Sequence, residues 1–201
     1  AAQLNAKLAA DNAQKDSGTT HFVVVDDAGN IISYTGSIES AFGARQMVQG
    51  ILLNNQLTDF SFRPTADDGQ PVANRVQPGK RPRSSMAPTI VFDGFASPIL
   101  ALGSPGGSRI INYVAMAIVN MIDRGMTPAQ AFAAGHIGSR NGALEVEQGA
   151  VPPAMIEALR AMGHEVREVP MVSGLHGIAL YDEQRLGGAD PRREGHVAAL
   201  Q

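Results

Sequence analysis

Gly18-Thr19-Thr20-His21-Phe22-Val23-Val24-Val25 joins a polar, alanine-rich leader to the first run that reads as a buried strand. A threonine hydroxyl is a poor nucleophile at neutral pH unless a base lies within hydrogen-bond reach, and one solution uses the threonine's own α-amine as that base. That amine has a pKa of roughly 7.7–8.0, so a useful fraction is unprotonated near pH 7. While Thr19 is joined to Gly18 its nitrogen is an amide and takes no proton. Cutting that one peptide bond creates both a nucleophile and its base. Taken alone, the same residues read equally as a polar turn leading into an edge strand.

Working outward, residues 22–26 and 31–37 flank Asp27-Ala28-Gly29-Asn30, the pattern of a hairpin with a glycine turn. The hairpin puts Thr19 at the mouth of one strand and Ser37 at the end of its neighbour. Residues 87–93 and 98–103 predict a second strand pair turning at Gly94. Ser108 then stands where a cap would start a helix running to residue 123, with Ile111, Val114, Ile118 and Ile122 on one stripe, and Gly125 followed by Pro128 ending it. A shorter helix is predicted at 128–134, a strand at 143–147, a helix at 153–162 with Pro153 in its first turn, and strands near 165–169 and 176–181. Paired strands followed by helices predict an α+β fold with two sheets covered by helices. Residues 1–16 place Leu4 and Leu8 four apart among polar residues, as in a short surface helix. Residues 61–79, with Pro64, Asp67, Asp68, Gly69, Pro71 and Pro78, have loop composition.

With 201 residues and 44% hydrophobic content, the natural prior is one domain with one sizeable core. A net charge of −3 and a pI near 5.9 give no electrostatic reason to expect nucleic acid or an anionic membrane as partner. The absence of cysteine excludes disulfides and thiol catalysis. The five histidines, at 21, 136, 164, 176 and 196, show no metal spacing and read as structural or surface residues, and no metal or cofactor is expected. No apolar run approaches the ~20 residues of a membrane span, and residues 1–18 lack the apolar core of a signal peptide.

Five stretches occur in a telling order: Thr19-Thr20-His21-Phe22; Leu52-Leu53-Asn54-Asn55-Gln56-Leu57-Thr58-Asp59-Phe60; Lys80-Arg81-Pro82-Arg83-Ser84-Ser85-Met86-Ala87-Pro88-Thr89; Gly103-Ser104-Pro105-Gly106-Gly107-Ser108-Arg109-Ile110-Ile111; and Gly188-Ala189-Asp190-Pro191-Arg192. Together they resemble the small, catalytic subunit of γ-glutamyltranspeptidases, a branch of the N-terminal-nucleophile (Ntn) hydrolases, from about Thr19 to the C-terminus. The resemblance implies an αββα sandwich, of which this chain supplies the small-subunit half. It implies that residues 1–18 are the tail of a large-subunit region, released by autocatalytic cleavage between Gly18 and Thr19, and that 19–201 form the small-subunit catalytic domain. The precursor would then start far upstream, with any targeting segment there. The compartment implied is periplasmic or secreted, with the cytoplasm not excluded.

Residue by residue, the resemblance makes Thr19 the nucleophile and its α-amine the base, and gives Ser37 a hydroxyl that hydrogen-bonds the nucleophile, where many relatives have threonine. Gly106 and Gly107 become the oxyanion hole; just before a predicted helix start, their N–H groups also suit an attacked oxygen on physical grounds. A phosphate loop is excluded there, because no Gly-x-x-x-x-Gly-Lys-Ser/Thr pattern is present. Glu39, Gln56 and Asp59 match positions that hold a substrate α-ammonium, and Ser84 and Ser85 match donors to its α-carboxylate. The large subunit of the same precursor would add an arginine for that carboxylate, so these residues form part of a pocket. In relatives the region around 61–79 can carry a lid; here the stretch is short, which favours water over an amine as acyl acceptor.

The activity implied is γ-glutamyl transfer or hydrolysis on glutathione-type amides through a γ-glutamyl-enzyme ester. A glutaryl-type (cephalosporin) acylase of the same family is the alternative within the fold, and Glu39, Gln56 and Asp59 favour the γ-glutamyl group. A non-catalytic homologue that keeps Gly18 joined to Thr19 is the alternative outside enzymology.

Overall fold

The computed structural model describes residues 18–181 and 184–199. The helix read at residues 1–16 lies outside them. The opening hairpin pairs β1 (Thr19–Val25) with β2 (Ile31–Ser37), antiparallel and in unbroken register from Thr19 opposite Ser37 to Val25 opposite Ile31. Its turn is closed by Asp26, whose carboxylate accepts from the Asn30 backbone at 2.8 Å, while Gly29 takes φ 83°, a left-handed value that costs a residue with a Cβ. The strand therefore starts at Thr19, earlier than the apolar run that signals it, because the polar Thr19 and Thr20 continue the ladder.

A four-stranded antiparallel sheet forms the middle layer, in the order β11 (Gln184–Ala189), β10 (His176–Tyr181), β6 (Pro98–Gly103), β5 (Thr89–Phe92). Its two faces follow from strand alternation. Leu100 and Leu102 of β6 enter the main core with Ile110, Tyr113, Val114, Ala117 and Phe132 from α1 (Ile110–Ile122) and α2 (Pro128–Ala133). Gly177, opposite Leu102, has no room for a side chain: a Cβ there would stand 3.0 Å from the Phe132 ring. The other face carries Gly103 and His176, and the β1–β2 hairpin packs against it. The order of layers is hairpin, sheet, helices. The outer hairpin face presents Phe22, Val24, Ile32 and Tyr34, each about half exposed, with the Phe22 and Tyr34 rings 5.2 Å apart.

A third sheet joins β7 (Ile137–Gly138), β8 (Leu144–Glu147) and β9 (Val166–Val169); β8 and β9 are parallel, linked through α3 (Pro153–Ala161) as a parallel pair requires. Val146, Val151 and Ile156 make its small core. Between hairpin and sheet, β3 (Met47–Val48) and β4 (Ile51–Leu52) form a minimal ribbon, followed by a 3-10 turn at Gln56–Asp59. Residues 61–79 are a loop stitched to itself by backbone bonds such as Ser61 N to Asn74 O at 2.9 Å and Val72 N to Pro64 O at 3.0 Å.

Three details correct the sequence reading. Ser108 caps nothing: a 3-10 turn at Gly107–Arg109 leads into α1, Arg109 occupies the cap position, and the Ser108 hydroxyl instead accepts from Arg140 Nη1 at 3.1 Å. The buried stripe of α1 is Ile110, Tyr113, Val114, Ala117 and Met121, while Ile111 and Ile122 are more than half exposed. Apolar residues occupy both faces of that helix, so periodicity alone does not choose between them, and the turn before it sets the rotation. Strand β11 lies beyond the last strand that the sequence pattern marks; its glycines Gly187 and Gly188 carry no apolar alternation, and pairing with β10 and close packing on Pro128 hold it in the sheet.

Candidate functional site

Thr19 and Ser37 are cross-strand partners at the open end of the hairpin, and their hydroxyls lie 2.9 Å apart. Ser37 Oγ also accepts from Glu39 N–H at 2.9 Å. The Gly18 carbonyl accepts from Ile38 N–H at 3.0 Å, so the peptide group before Thr19 is held by the neighbouring strand. A Cβ at Gly18 would stand 2.6 Å from the Glu39 carbonyl oxygen, so the chain here needs glycine.

Two rungs along, on the same inner face, His21 Nδ1 lies 2.8 Å from Thr35 Oγ1. His21 is buried, and its Nε2 has no hydrogen-bond partner among the described residues. Burial, with a smaller contribution from the nearby His176, lowers its pKa to about 4, so the ring is neutral near pH 7. Thr19, Thr20 and His21 line an open cleft of about 640 Å³ with Pro105, Gly174, His176 and the segment Pro191, Arg192, Arg193 and Glu194. Pro105 brings the glycine pair to this neighbourhood. Gly106 and Gly107 have φ of 137° and 58°, values that residues with a Cβ rarely adopt, and a Cβ on Gly106 would run into the Tyr113 ring at 2.5 Å.

Of the sequence-predicted site residues Thr19 alone lines this cleft; Ser37, Gly106 and Gly107 adjoin lining residues through contact or sequence, and the remainder lie off it. Glu39 has φ 71°, and its carboxylate accepts from Ser40 Oγ at 2.7 Å and from Asn55 Nδ2. Asp59 ends the 3-10 turn; burial and then the negative charge of Glu39 raise its carboxyl above the usual range against the pull of Arg83. Gln56 opens that turn with its N–H donated to Asn54 Oδ1 at 3.0 Å. Asn74 ties the region together, donating to the Asp59 carbonyl at 2.6 Å and accepting from Arg83 N–H at 3.2 Å. Ser84 is exposed, accepting from Met86 N–H at 3.2 Å, and Ser85 beside it is half-buried. Thr19, Ser37 and Glu39 thus form one contact chain, with Asp59 electrostatically joined to it; Gln56, Ser84 and Ser85 approach from the loop side and line no wall of the cleft.

Two polar networks, one centred on a fully buried carboxylate and one part-buried, escaped sequence reasoning. Arg192 donates to both Glu147 oxygens at 2.6 and 2.7 Å, to Asp190 at 3.1 Å, and to the Phe132 and Ala134 carbonyls that end α2. Asp190 also accepts from Ser173, whose hydroxyl lies 2.6 Å from His136 Nε2. The second network joins Arg109, Glu145 and Arg140. The motif containing Asp190 and Arg192 was visible in the sequence, but no spacing pattern announces partners 45 residues away. Among the described residues no group of His, Cys, Asp or Glu could hold a metal ion, and no helix is long and apolar enough to cross a membrane.

The model of the gamma-glutamyltranspeptidase family matches residues 1–200. The chain is 39% identical over 187 residues to a glutathione hydrolase proenzyme of Bacillus subtilis, covering 90% of this chain and 31% of that protein. It is 37% identical over 175 residues to an acylase ACY 1 proenzyme of a Pseudomonas species, covering 85% and 30%. Among solved structures, a mutant gamma-glutamyltranspeptidase of Helicobacter pylori superposes with a TM-score of 0.78 at 33% identity, over 87% of this chain and 100% of that one. The chain thus spans about a third of the length of the curated relatives it matches. The stacked antiparallel sheets with helices on one side are the Ntn-hydrolase fold of such neighbours. On the family model and on these likenesses, the chain belongs to the gamma-glutamyltranspeptidase family.

Proposed function

We propose that this chain is the catalytic part of an enzyme that transfers or hydrolyses γ-glutamyl groups of glutathione-type amides, after cutting itself between Gly18 and Thr19. The observation that carries the reading is the 2.9 Å contact between the Thr19 and Ser37 hydroxyls at the end of a rigid ladder, beside a carbonyl already polarised by Ile38 N–H. Once the bond is cut, the Thr19 amine takes the proton of its own hydroxyl and the oxygen attacks the γ-carbonyl; collapse of the adduct breaks the amide C–N bond, and the departing amine takes that proton from the Thr19 ammonium to leave the ester. Ser37 orients the nucleophile. The N–H groups of Gly106 and Gly107 receive the charge that develops on the attacked oxygen. Water or an amine then resolves the ester.

Substrate recognition is assigned to the loop side. Burial and then the nearby Glu39 charge hold the Asp59 carboxyl above its usual range, an arrangement that an α-ammonium would relieve. Gln56 adds an acceptor, and Ser84 and Ser85 supply donors for the α-carboxylate. A large-subunit partner from the same precursor, bringing an arginine for that carboxylate, completes the pocket. The proenzyme names of the relatives support such processing, and the apolar outer face of the hairpin supports a covering partner.

Intact mass and N-terminal sequencing of the precursor, beside Thr19→Ala, test the reading. A new terminus at Thr19 in the wild type alone is the expected result; a joined chain in folded protein overturns it. The likeness to an acylase keeps a glutaryl substrate as the second reading. Turnover of γ-glutamyl against glutaryl anilides separates the two, since a glutaryl group offers Glu39 and Asp59 no ammonium.

A further inference from the structure

The turn that carries Gly106 and Gly107 is tied through two arginines to the carboxylate of Glu145. Arg109 closes the turn, its N–H donating to the Gly106 carbonyl at 3.2 Å, and sends its Nε to one Glu145 oxygen at 2.9 Å. The other Glu145 oxygen accepts from Arg140 Nη2 at 2.8 Å, and Arg140 Nη1 reaches forward to the Ser108 hydroxyl at 3.1 Å. Residues 108 and 109 are thereby both referred to one acid. The three side chains are 17–22% exposed, so their charge-assisted bonds are largely sheltered from solvent.

Glu145 is itself on a fixed element. It stands on β8 opposite Gly138 of β7, and Asn112 of α1 rests on Gly138 so closely that a Cβ there would be 2.4 Å from its amide nitrogen. The third sheet is thus docked on the start of the helix that follows the glycine turn. Arg109, Tyr113, His136 and Glu145 line a small cavity at this junction, and the Tyr113 ring that closes one side of it also packs under Gly106. Through Arg109 and Arg140, Glu145 joins the turn to the third sheet.

We propose that Glu145 is a positioning residue for the Gly106 and Gly107 amides, setting their aim through Arg109 and Arg140. The inference rests on the reading of those amides as oxyanion donors. Only a charged acceptor with two oxygens serves both guanidinium groups; a glutamine offers one oxygen and turns its NH₂ toward the other arginine. Sites of this kind depend on a supporting shell that fixes donors where charge develops.

The test uses the assembled, self-cleaved enzyme and compares wild type with Glu145→Gln and Glu145→Asp, with active sites counted by burst titration. For Glu145→Gln, kcat per active site falls about ten-fold, short of the ~10²–10³ that losing one donor entirely costs, while KM changes less than about two-fold. A boronic acid analogue of the γ-glutamyl group, which mimics the tetrahedral oxyanion, loses affinity in proportion. Competitive inhibition by glutamate, which lacks that oxyanion, is unchanged. Glu145→Asp, keeping two oxygens, recovers part of both losses and carries the comparison if Glu145→Gln does not assemble. A lowered melting temperature with per-site kcat and boronate affinity at wild-type values makes Glu145 a structural ion-pair member only and overturns the proposal. If the wild type turns over no γ-glutamyl amide, the underlying reading fails instead. Amide hydrogen exchange over residues 104–109 then decides on Glu145 alone: faster exchange in Glu145→Gln supports the hold on the turn, and unchanged exchange overturns it.

Discussion

A Cβ at Gly103 would stand 2.3 Å from Cε1 of His21. The glycine at the end of β6 is what allows the imidazole, and with it the start of β1, to lie flat on the central sheet. Gly103→Ala forces the hairpin away from the sheet and is expected to destabilise the protein by about 1–3 kcal/mol, measured by urea unfolding. Gly94→Ala, in a turn where nothing lies within 4 Å of the added Cβ, serves as the control and leaves the midpoint nearly unchanged.

Ser37 is the meeting point of two hydrogen bonds, one with Thr19 and one from Glu39 N–H. Ser37→Ala removes both and frees the threonine rotamer. Self-cleavage of the precursor, followed by gel densitometry, is expected to slow by about 10- to 100-fold, whereas Ser37→Thr, which keeps the oxygen and restricts χ1, cleaves at close to the wild-type rate. Equal rates for Ser37→Ala and wild type would remove Ser37 from the mechanism.

Burial lowers the pKa of His21 to about 4, with a smaller contribution from His176, and burial followed by Arg192 lowers that of His136. Both rings are neutral in the folded chain at pH 7. In the unfolded chain they titrate near 6.5. As pH falls below that value the unfolded state takes up protons that the folded state refuses, so stability declines until the folded pKa is reached. Urea midpoints are expected to fall between pH 6.5 and 5, a window above most carboxylate titration. His21→Gln, which cannot protonate, flattens that slope relative to its own stability at pH 7.5.

Arg192 is the hub of a buried charge network in which Asp190 is fully buried. Removing one partner of such a pair leaves an uncompensated charge, at a cost of about 3–5 kcal/mol. Arg192→Met is expected to lose stability on that scale by urea unfolding, and Arg192→Met combined with Glu147→Leu to regain part of it. A single variant as stable as wild type would show that the network carries little.

The sequence discloses the hairpin because valines, isoleucines and a glycine turn agree at every level from 22 to 37, and it offers Thr19 as a candidate nucleophile only through the ordered motifs that accompany it, since the local stretch alone reads as a polar turn. It places the glycine pair through backbone freedom. It is silent on Glu145 and Glu147, which look like any solvated acids on a short strand until the arginines that meet them are brought from 36 and 45 positions away. It also misjudges which face of α1 is buried, since both are apolar and the choice belongs to the turn before the helix. Local patterns carry the elements and the proposed nucleophile; the ion pairs that hold the neighbouring elements are tertiary.

The pairing of β10 with β6 sets residue 176 against residue 103, whereas the hairpin pairs residues no more than 18 apart. Contacts of low sequence separation close first, and those spanning long stretches pay more loop entropy and close late. Thr19 and Ser37 therefore meet early in folding, before Pro105, the glycine pair and the 191–194 segment arrive. On the proposed reading, a cut that needed only the hairpin would appear early and one that needed the docked segments would appear last, so the moment at which the new terminus appears dates the cut against the closing of the fold.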